Sequence, residues 1–140
     1  MRRALAVLGP ADPAAAWERY ADPALWPTWS PQIRAVEATS PRLAAGMRGT
    51  VLGWGGLELP FVVDAVDEGA RTWAWTVRPA RALHAPLPAA LAVRAALRLR
   101  HAVGPGDGGG ALTTLEVTGA APLVLAYAPA AAWALRRLVR

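Results

Sequence analysis

The stretch Leu57 to Arg78, LELPFVVDAVDEGARTWAWTVR, decides the fold because it contains two strand patterns joined by a turn. One face of the first predicted strand is apolar: Leu57, Leu59, Phe61, Val63 and Ala65. The opposite face carries Glu58, Val62, Asp64 and Val66. In the second half, three apolar side chains alternate with small or polar ones: Trp73, Trp75 and Val77. Glu68-Gly69 supplies a tight turn, so the stretch predicts an antiparallel hairpin.

Before this hairpin, the sequence predicts one strand, two short helices and two further strands. Arg3 to Leu8 is a short apolar run typical of a strand. Asp12-Pro13 then provides a helix N-cap followed by a proline in the first turn, and a second short helical turn follows from Ala24 to Trp29. Alternation at period two next predicts two strands: Ile33 to Thr39 and Arg48 to Trp54.

After the hairpin, residues 79–92 show no period, and prolines interrupt their alanine-rich run, which predicts a loop with at most one helical turn. Alternation returns in two strands that a glycine-rich connection joins: Leu97 to Val103 and Ala111 to Thr118. Pro122 to Val139 predicts a long final helix, with Pro129 bending it or marking its start. We expect Tyr127 and Trp133 to occupy core positions on this helix, which requires such a bend.

Length and composition predict a single domain over residues 1–140. A chain of 140 residues is too short for two ordinary domains but buries roughly two-thirds of its unfolded surface as one. The hydrophobic fraction is 54%, but alanine adds little buried area, so the core is expected to consist of the Leu, Val and seven Trp residues. We expect Trp17, Trp26 and Trp29 to fasten the short helices onto the sheet.

The charge of the chain raises nucleic acid as a partner, because the net charge is +5. The arginines do not support that role. All 15 basic residues are Arg, and most are scattered singly, as the bias of a GC-rich genome produces. We therefore predict no nucleic-acid partner.

The sequence lacks the residues that several kinds of catalytic and metal-binding site require. The absence of Cys excludes thiol nucleophiles and cysteine-based zinc sites, and His84 and His101 have no metal-ligand spacing. We predict no metal and no cofactor. The N-terminal apolar run is too short for a signal peptide, and no window is long enough to span a membrane. A cytoplasmic protein without integral membrane association is therefore expected.

The order of elements resembles the helix-grip fold of the SRPBCC or START-like superfamily, which includes polyketide cyclases, lipid-transfer domains and the birch-pollen allergen type. Three segments carry the resemblance: Asp12-Pro-Ala-Ala-Ala-Trp17 with Trp26-Pro-Thr-Trp29-Ser-Pro31, then Val63 to Trp73, and finally His101 to Thr114. The resemblance implies an α+β fold, in which a curved antiparallel sheet of about seven strands wraps around a long C-terminal helix. Two short helices follow the first strand.

In that fold, the sheet and the last helix enclose a cavity for an apolar small molecule. The resemblance therefore implies binding of a lipid, polyketide or isoprenoid by this chain. The predicted strand faces are compatible, because they offer an aromatic and aliphatic wall with few polar groups. The candidate ligand-binding residues are Leu59, Phe61, Val63, Trp73, Trp75, Leu99, His101, Leu123 and Tyr127.

Two alternatives stay open at this stage. The resemblance also implies a polyketide cyclase or aromatase, in which His101 and Tyr127 would move protons. Without paired carboxylates or a Ser-His-Asp set, binding is the favoured function. The second alternative is an interaction module, and it depends on which face of the sheet carries Trp73 and Trp75. On the outer face they would form an apolar patch for a partner protein or a homodimer contact, and exposed Trp and Arg side chains could also dock an anionic membrane.

Overall fold

The structure is a computed structural model that describes residues 1–140. In chain order its elements are β1 (Arg2–Gly9), α1 (Pro13–Ala21), a 3-10 turn (Pro23–Leu25), α2 (Trp26–Trp29), β2 (Ile33–Ala38), β3 (Arg48–Gly53), a second 3-10 turn (Trp54–Gly56), β4 (Glu58–Asp67), β5 (Thr72–Val77), β6 (Arg81–Ala82), β7 (Ala85–Pro86), α3 (Ala89–Arg94), β8 (Leu97–Pro105), β9 (Ala111–Thr118) and α4 (Ala121–Leu138). None of the helices combines the length and the apolar character that a membrane crossing requires.

Seven strands form one curled antiparallel sheet in the order β1-β9-β8-β5-β4-β3-β2, and the small strands β6 and β7 extend from β4. The long helix α4 packs along the sheet, burying the stripe Val124, Ala128, Ala131, Leu135 and Leu138. This stripe has the i, i+3, i+4 spacing of one helix face. The predicted α+β architecture, with two short helices after the first strand, is confirmed.

The hairpin of β4 and β5 forms as predicted, but its register contains a β-bulge between Val63 and Ala65. A bulge adds one residue to a strand and reverses the alternation beyond it. Val66 therefore lies opposite Trp73 and faces the same side as Val63, whereas Ala65 lies opposite Ala74. The expected faces of Ala65 and Val66 were wrong for this reason.

The connection of this hairpin also differs from the expected two-residue turn. Four residues, Glu68 to Arg71, separate the strands. Arg71 has a φ of 53°, in the left-handed region, and the Asp67 side chain accepts a hydrogen bond from the Ala70 amide. The Asp67 side chain thus stabilises a four-residue loop, whereas the Glu68-Gly69 dipeptide alone had predicted a tight turn.

Residues 79–96 contain more structure than the predicted loop. They form the two-residue strands β6 and β7 and the helix α3. The turn between β6 and β7 places Leu83 and His84 at φ values of 53° and 61°. Such turns usually carry Asn or Gly, so the hairpin has no recognisable sequence signal.

Helix α4 runs through Pro129 without ending there. Pro129 is exposed, so water can reach the carbonyl that its missing N–H leaves without a helical partner. Six residues correspond to about 240° of helix rotation, so an uninterrupted helix cannot turn both Tyr127 and Trp133 inward. Tyr127 packs against the core, whereas Trp133 is 53% exposed, and the expected core position of Trp133 was therefore wrong.

Three tryptophans hold the short helices in place. Trp17, Trp26 and Trp29 are all buried. Their indole nitrogens donate to the Glu68 carboxylate, the Tyr20 carbonyl and the Arg19 carbonyl, at 2.7, 2.8 and 2.9 Å. Each side chain thus buries a large apolar surface and satisfies its polar atom, which agrees with the predicted fastening role.

Replacement of Trp17 tests this fastening. Trp17→Phe removes buried volume and the hydrogen bond that joins α1 to Glu68 beyond β4. We expect the free energy of unfolding to fall by about 2 kcal/mol. The control Trp54→Phe alters a side chain that is 67% exposed and is expected to change stability by less than about 0.5 kcal/mol. Urea denaturation measures both, and equal losses would contradict the fastening role.

Candidate functional site

A cavity of about 110 Å³ lies between the concave face of the sheet, α2 and α4. Strands β2, β3, β4, β5, β8 and β9 contribute to its wall, and α4 closes it opposite the sheet. Its lining consists of Trp26, Trp29, Ser30, Gln32, Ile33, Val51, Gly53, Leu57, Leu59, Trp73, Trp75, Val77, Pro79, Leu97, Leu99, His101, Leu115, Tyr127, Ala131, Ala134 and Leu135. The lining includes no Asp, Glu, Lys or Arg, and His101 is neutral at pH 7, so the lining side chains carry no charge at that pH.

Aromatic side chains fill most of the space beneath α4. Trp73 and Trp75 both point to the concave side, where they are 2% and 8% exposed. The Trp73 ring stacks on His101, with centroids 4.6 Å apart, and Trp26 lies 5.2 Å from Trp75. Because both side chains are buried on the concave side, they do not form the apolar patch that was considered for the outer face of the sheet. The residual volume of about 110 Å³ is somewhat smaller than the engineered cavity of about 150 Å³ that binds benzene.

A directed chain of hydrogen bonds lies behind this aromatic layer. Trp75 Nε1–H donates to His101 Nε2 at 3.0 Å, so that nitrogen carries no proton. The neutral imidazole therefore holds its proton on Nδ1, which lies 3.1 Å from the Tyr20 hydroxyl. Tyr20 in turn donates to Thr113 Oγ1 at 3.0 Å, and Thr113 donates to the Ala102 carbonyl at 3.2 Å.

Burial keeps these groups neutral. It lowers the pKa of His101 from 6.5 to about 3, because no negative charge compensates an imidazolium in the core. Burial likewise raises the pKa of Tyr20, despite its hydrogen bond to Thr113, and raises the pKa of Tyr127 to about 12. The interior around the cavity is therefore uncharged at pH 7.

Two buried polar atoms of the lining residues have no hydrogen-bond partner in the protein. They are the indole nitrogen Nε1 of Trp73, a donor, and the amide oxygen Oε1 of Gln32, an acceptor. Buried polar atoms are nearly always paired, so each such exception requires an explanation.

The structure brings together six of the nine predicted site residues at the cavity: Leu59, Trp73, Trp75, Leu99, His101 and Tyr127. The other three lie outside the lining. Phe61 is buried behind the wall against Trp26 and Trp75, at centroid distances of 5.6 and 5.3 Å. Val63 is fully buried in the core, and Leu123 is half-buried near the start of α4. For these three residues the predicted ligand contact has no support from their position.

Sequence reasoning missed much of the lining. Trp26 and Trp29 were assigned to fastening alone, although they also border the cavity. On α4, the residues that accompany Tyr127 at the cavity follow it at helical spacing: Ala131, Ala134 and Leu135. That spacing was a usable signal. Gln32 lies in the short connection before β2, where no sequence pattern indicated that it borders the cavity.

The comparisons with known proteins agree with this architecture. A family model described as "Polyketide cyclase / dehydrase and lipid transport" matches residues 6–140. No curated protein is significantly similar in sequence. Similar solved structures include the crystal structure of Ara h 8.0201, with a TM-score of 0.73 and 13% identity, a protein from Nitrosospira multiformis, with 0.73 and 12%, and protein MLL2253 from Mesorhizobium loti, with 0.71 and 18%.

Each of these structures matches 99% of this chain and 93 or 94% of its own chain. At such low identities the likeness concerns the fold alone. It is the helix-grip fold that the sequence predicted.

The buried His101 makes stability depend on pH. Between pH 6.5 and about 3, the unfolded chain binds a proton at this imidazole that the folded protein does not bind. The stabilisation is therefore complete above pH 6.5 and is lost as the pH falls. We expect wild-type protein to lose about 2 kcal/mol more than His101→Gln between pH 7.5 and 5, at about 1.4 kcal/mol per pH unit. Urea denaturation across this range measures the difference.

The matched control for this experiment is His84→Gln. His84 is exposed at the turn between β6 and β7. We expect that variant to keep the wild-type dependence, and a His101→Gln protein that keeps it too would show that His101 accepts a proton in the fold.

Proposed function

The chain belongs to the polyketide cyclase / dehydrase and lipid transport family, and we propose from this premise that it binds a small hydrophobic molecule between the sheet and α4. The ligand belongs to the lipid, polyketide or isoprenoid class. The observation that carries the proposal is the unfilled apolar volume of about 110 Å³. Protein interiors are close-packed, so the apolar side chains around an unfilled space lack contacts that a bound hydrophobic molecule would supply.

The lining limits what can bind. A space of about 110 Å³ accepts a single ring, a short chain or the end of a longer molecule without movement of the wall. No cation borders the space, so a buried carboxylate or phosphate would have no compensating charge. We therefore propose a neutral ligand, in contact with the six predicted residues that line the cavity.

The alternative enzyme function needs a free imidazole nitrogen on His101. Trp75 occupies Nε2 and Tyr20 occupies Nδ1, so His101 has no nitrogen left for a substrate. An acid or base near neutral pH also needs a pKa in that range, which burial prevents. These observations favour a structural role for His101, and they favour binding over a cyclase or aromatase activity that depends on it.

Turnover of a poly-β-ketone substrate tests the alternative. We expect none that depends on His101. A turnover that His101→Gln abolishes, with ligand affinity and fold retained, would overturn our assignment. Product analysis by mass spectrometry measures it.

A cavity-filling variant tests the binding function. Ala131 is buried on α4 at the cavity, and Ala131→Leu places a larger side chain in the space. Native mass spectrometry of protein purified from its natural host should detect a co-purified hydrophobic molecule in wild type. We expect Ala131→Leu to lack this molecule and to melt at the same or a higher temperature, because the void is filled.

The matched control is Ala126→Leu, since Ala126 lies exposed on the same helix. It should keep the bound molecule. A wild-type protein that carries no hydrophobic molecule and binds none, toluene included, would contradict the binding function.

A further inference from the structure

The outward face of α4 carries an apolar stripe that no other element covers. The helix buries its opposite side, which includes Val124, against the sheet. Nine residues correspond to two and a half helical turns, so Trp133 lies opposite Val124. The exposed apolar residues of this stripe are Pro122, Leu125, Ala126, Pro129 and Trp133. The two largest, Leu125 and Trp133, are 49% and 53% exposed, and such a continuous patch indicates an interaction surface.

Positive charge adjoins the C-terminal end of this stripe. Arg136 and Arg137 follow Trp133 by three and four residues, so they are its neighbours one turn further along the helix. A depression lies beside the end of α4. Its lining consists of Arg19, Thr28, Trp29, Arg137 and Arg140. Four arginines are therefore grouped where the apolar stripe ends.

Little negative charge compensates these arginines. The ion pairs of the structure involve other arginines, and α4 contains no acidic residue. Arg19 donates to the main-chain oxygen of Arg140 at 3.1 Å, and Arg137 donates to the Thr28 carbonyl at 3.1 Å. Main-chain atoms thus hold the two guanidinium groups in place. A main-chain carboxylate at Arg140 would offset one of the four charges, so the end of α4 keeps an excess of positive charge.

We propose that this face of α4 docks on an anionic lipid bilayer, with Leu125 and Trp133 in the interface and the arginines on lipid phosphates. Helices that lie in the interface plane combine an apolar face with basic residues, and Trp favours the boundary between headgroups and acyl chains. Guanidinium groups bind phosphate oxygens bidentately. A nucleic acid would match the arginines but not the stripe, and a second copy of this chain would cover the stripe without neutralising the arginines.

Vesicle flotation tests this docking. Wild-type protein is mixed with vesicles of phosphatidylcholine alone, or with about 30% phosphatidylglycerol, which gives the surface a negative potential. We expect binding to the anionic vesicles and little binding to the neutral ones. Binding should weaken at about 0.5 M salt, which screens charges beyond a few ångströms.

Two variants and two matched controls test the position of the docking face. Trp133→Ser should lower the affinity for anionic vesicles about tenfold, because the exposed half of a large side chain no longer enters the interface. Arg136→Gln should lower it about fivefold, the effect of one basic residue at an anionic surface. The controls are Trp54→Ser in the second 3-10 turn and Arg98→Gln on the outer face of β8, both at exposed positions.

The controls match the variants in chemistry but not in position. Arg98→Gln removes the same net charge as Arg136→Gln, and we expect each control to change the affinity by less than about twofold. Equal losses in controls and variants, or equal binding to neutral and anionic vesicles, would overturn the proposal. So would a wild-type dimer in analytical ultracentrifugation that Trp133→Ser separates, because a second copy would then cover the stripe.

The docking is independent of the ligand cavity. Trp133 does not line the cavity, so Trp133→Ser should still bind toluene and should melt at the wild-type temperature. Loss of vesicle binding with toluene binding retained supports the docking face. Loss of both would show that the substitution disturbs the fold and that Trp133 is not a docking residue alone, which would overturn the assignment. A wild-type protein that binds anionic vesicles but no hydrophobic molecule contradicts the proposed function and leaves this inference intact.

Discussion

The directed hydrogen bonds that run from Trp75 through His101 and Tyr20 to Thr113 are the constraint on which the interior depends. They join α1 and β5 to the hairpin of β8 and β9, and these three parts are far apart in the sequence. When His101 is neutral, each N–H and O–H group in this series of hydrogen bonds donates to the next residue in the series. Protonation of the imidazole would place a second donor opposite the Trp75 N–H, so the network and the uncharged state of the core require each other.

This constraint also explains the shape of the cavity. The indole rings of Trp26, Trp73 and Trp75 occupy the space under α4. Trp75 is hydrogen-bonded to His101, and Trp73 stacks on the same imidazole. Small side chains on the facing helix, such as Ala131 and Ala134, leave room that the rings do not fill. A small, neutral and mostly apolar space results, in contrast to the large pockets that accept drug-sized ligands. The small size and the neutrality of this space therefore follow from the same residues that stabilise the core.

The sequence predicted the main elements well because their signals are local. Period-two alternation located β5, β8 and β9, and Asp12-Pro13 located the start of α1. Failures occurred where the deciding contact was not local. The bulge in β4 reversed the faces of Ala65 and Val66, and the β6–β7 hairpin formed from residues without a turn signature. Pro129 was expected to bend the final helix or to mark its start, but the helix begins at Ala121 and continues through this exposed proline.

Composition and periodicity determined that the chain forms an α+β fold with an aromatic core, since alternation and helical spacing depend only on neighbouring residues. Six of the nine residues assigned to the cavity followed from that pattern and the family resemblance. Tertiary structure alone decided that tryptophans line a small residual space and that both ring nitrogens of His101 are hydrogen-bonded, to Trp75 and Tyr20. It also decided that Trp73 Nε1 and Gln32 Oε1 have no hydrogen-bond partner in the protein. These facts depend on distances between atoms of different elements. Spacing along the chain does not specify such distances, because packing and hydrogen-bond geometry are set only when the sheet curls around α4.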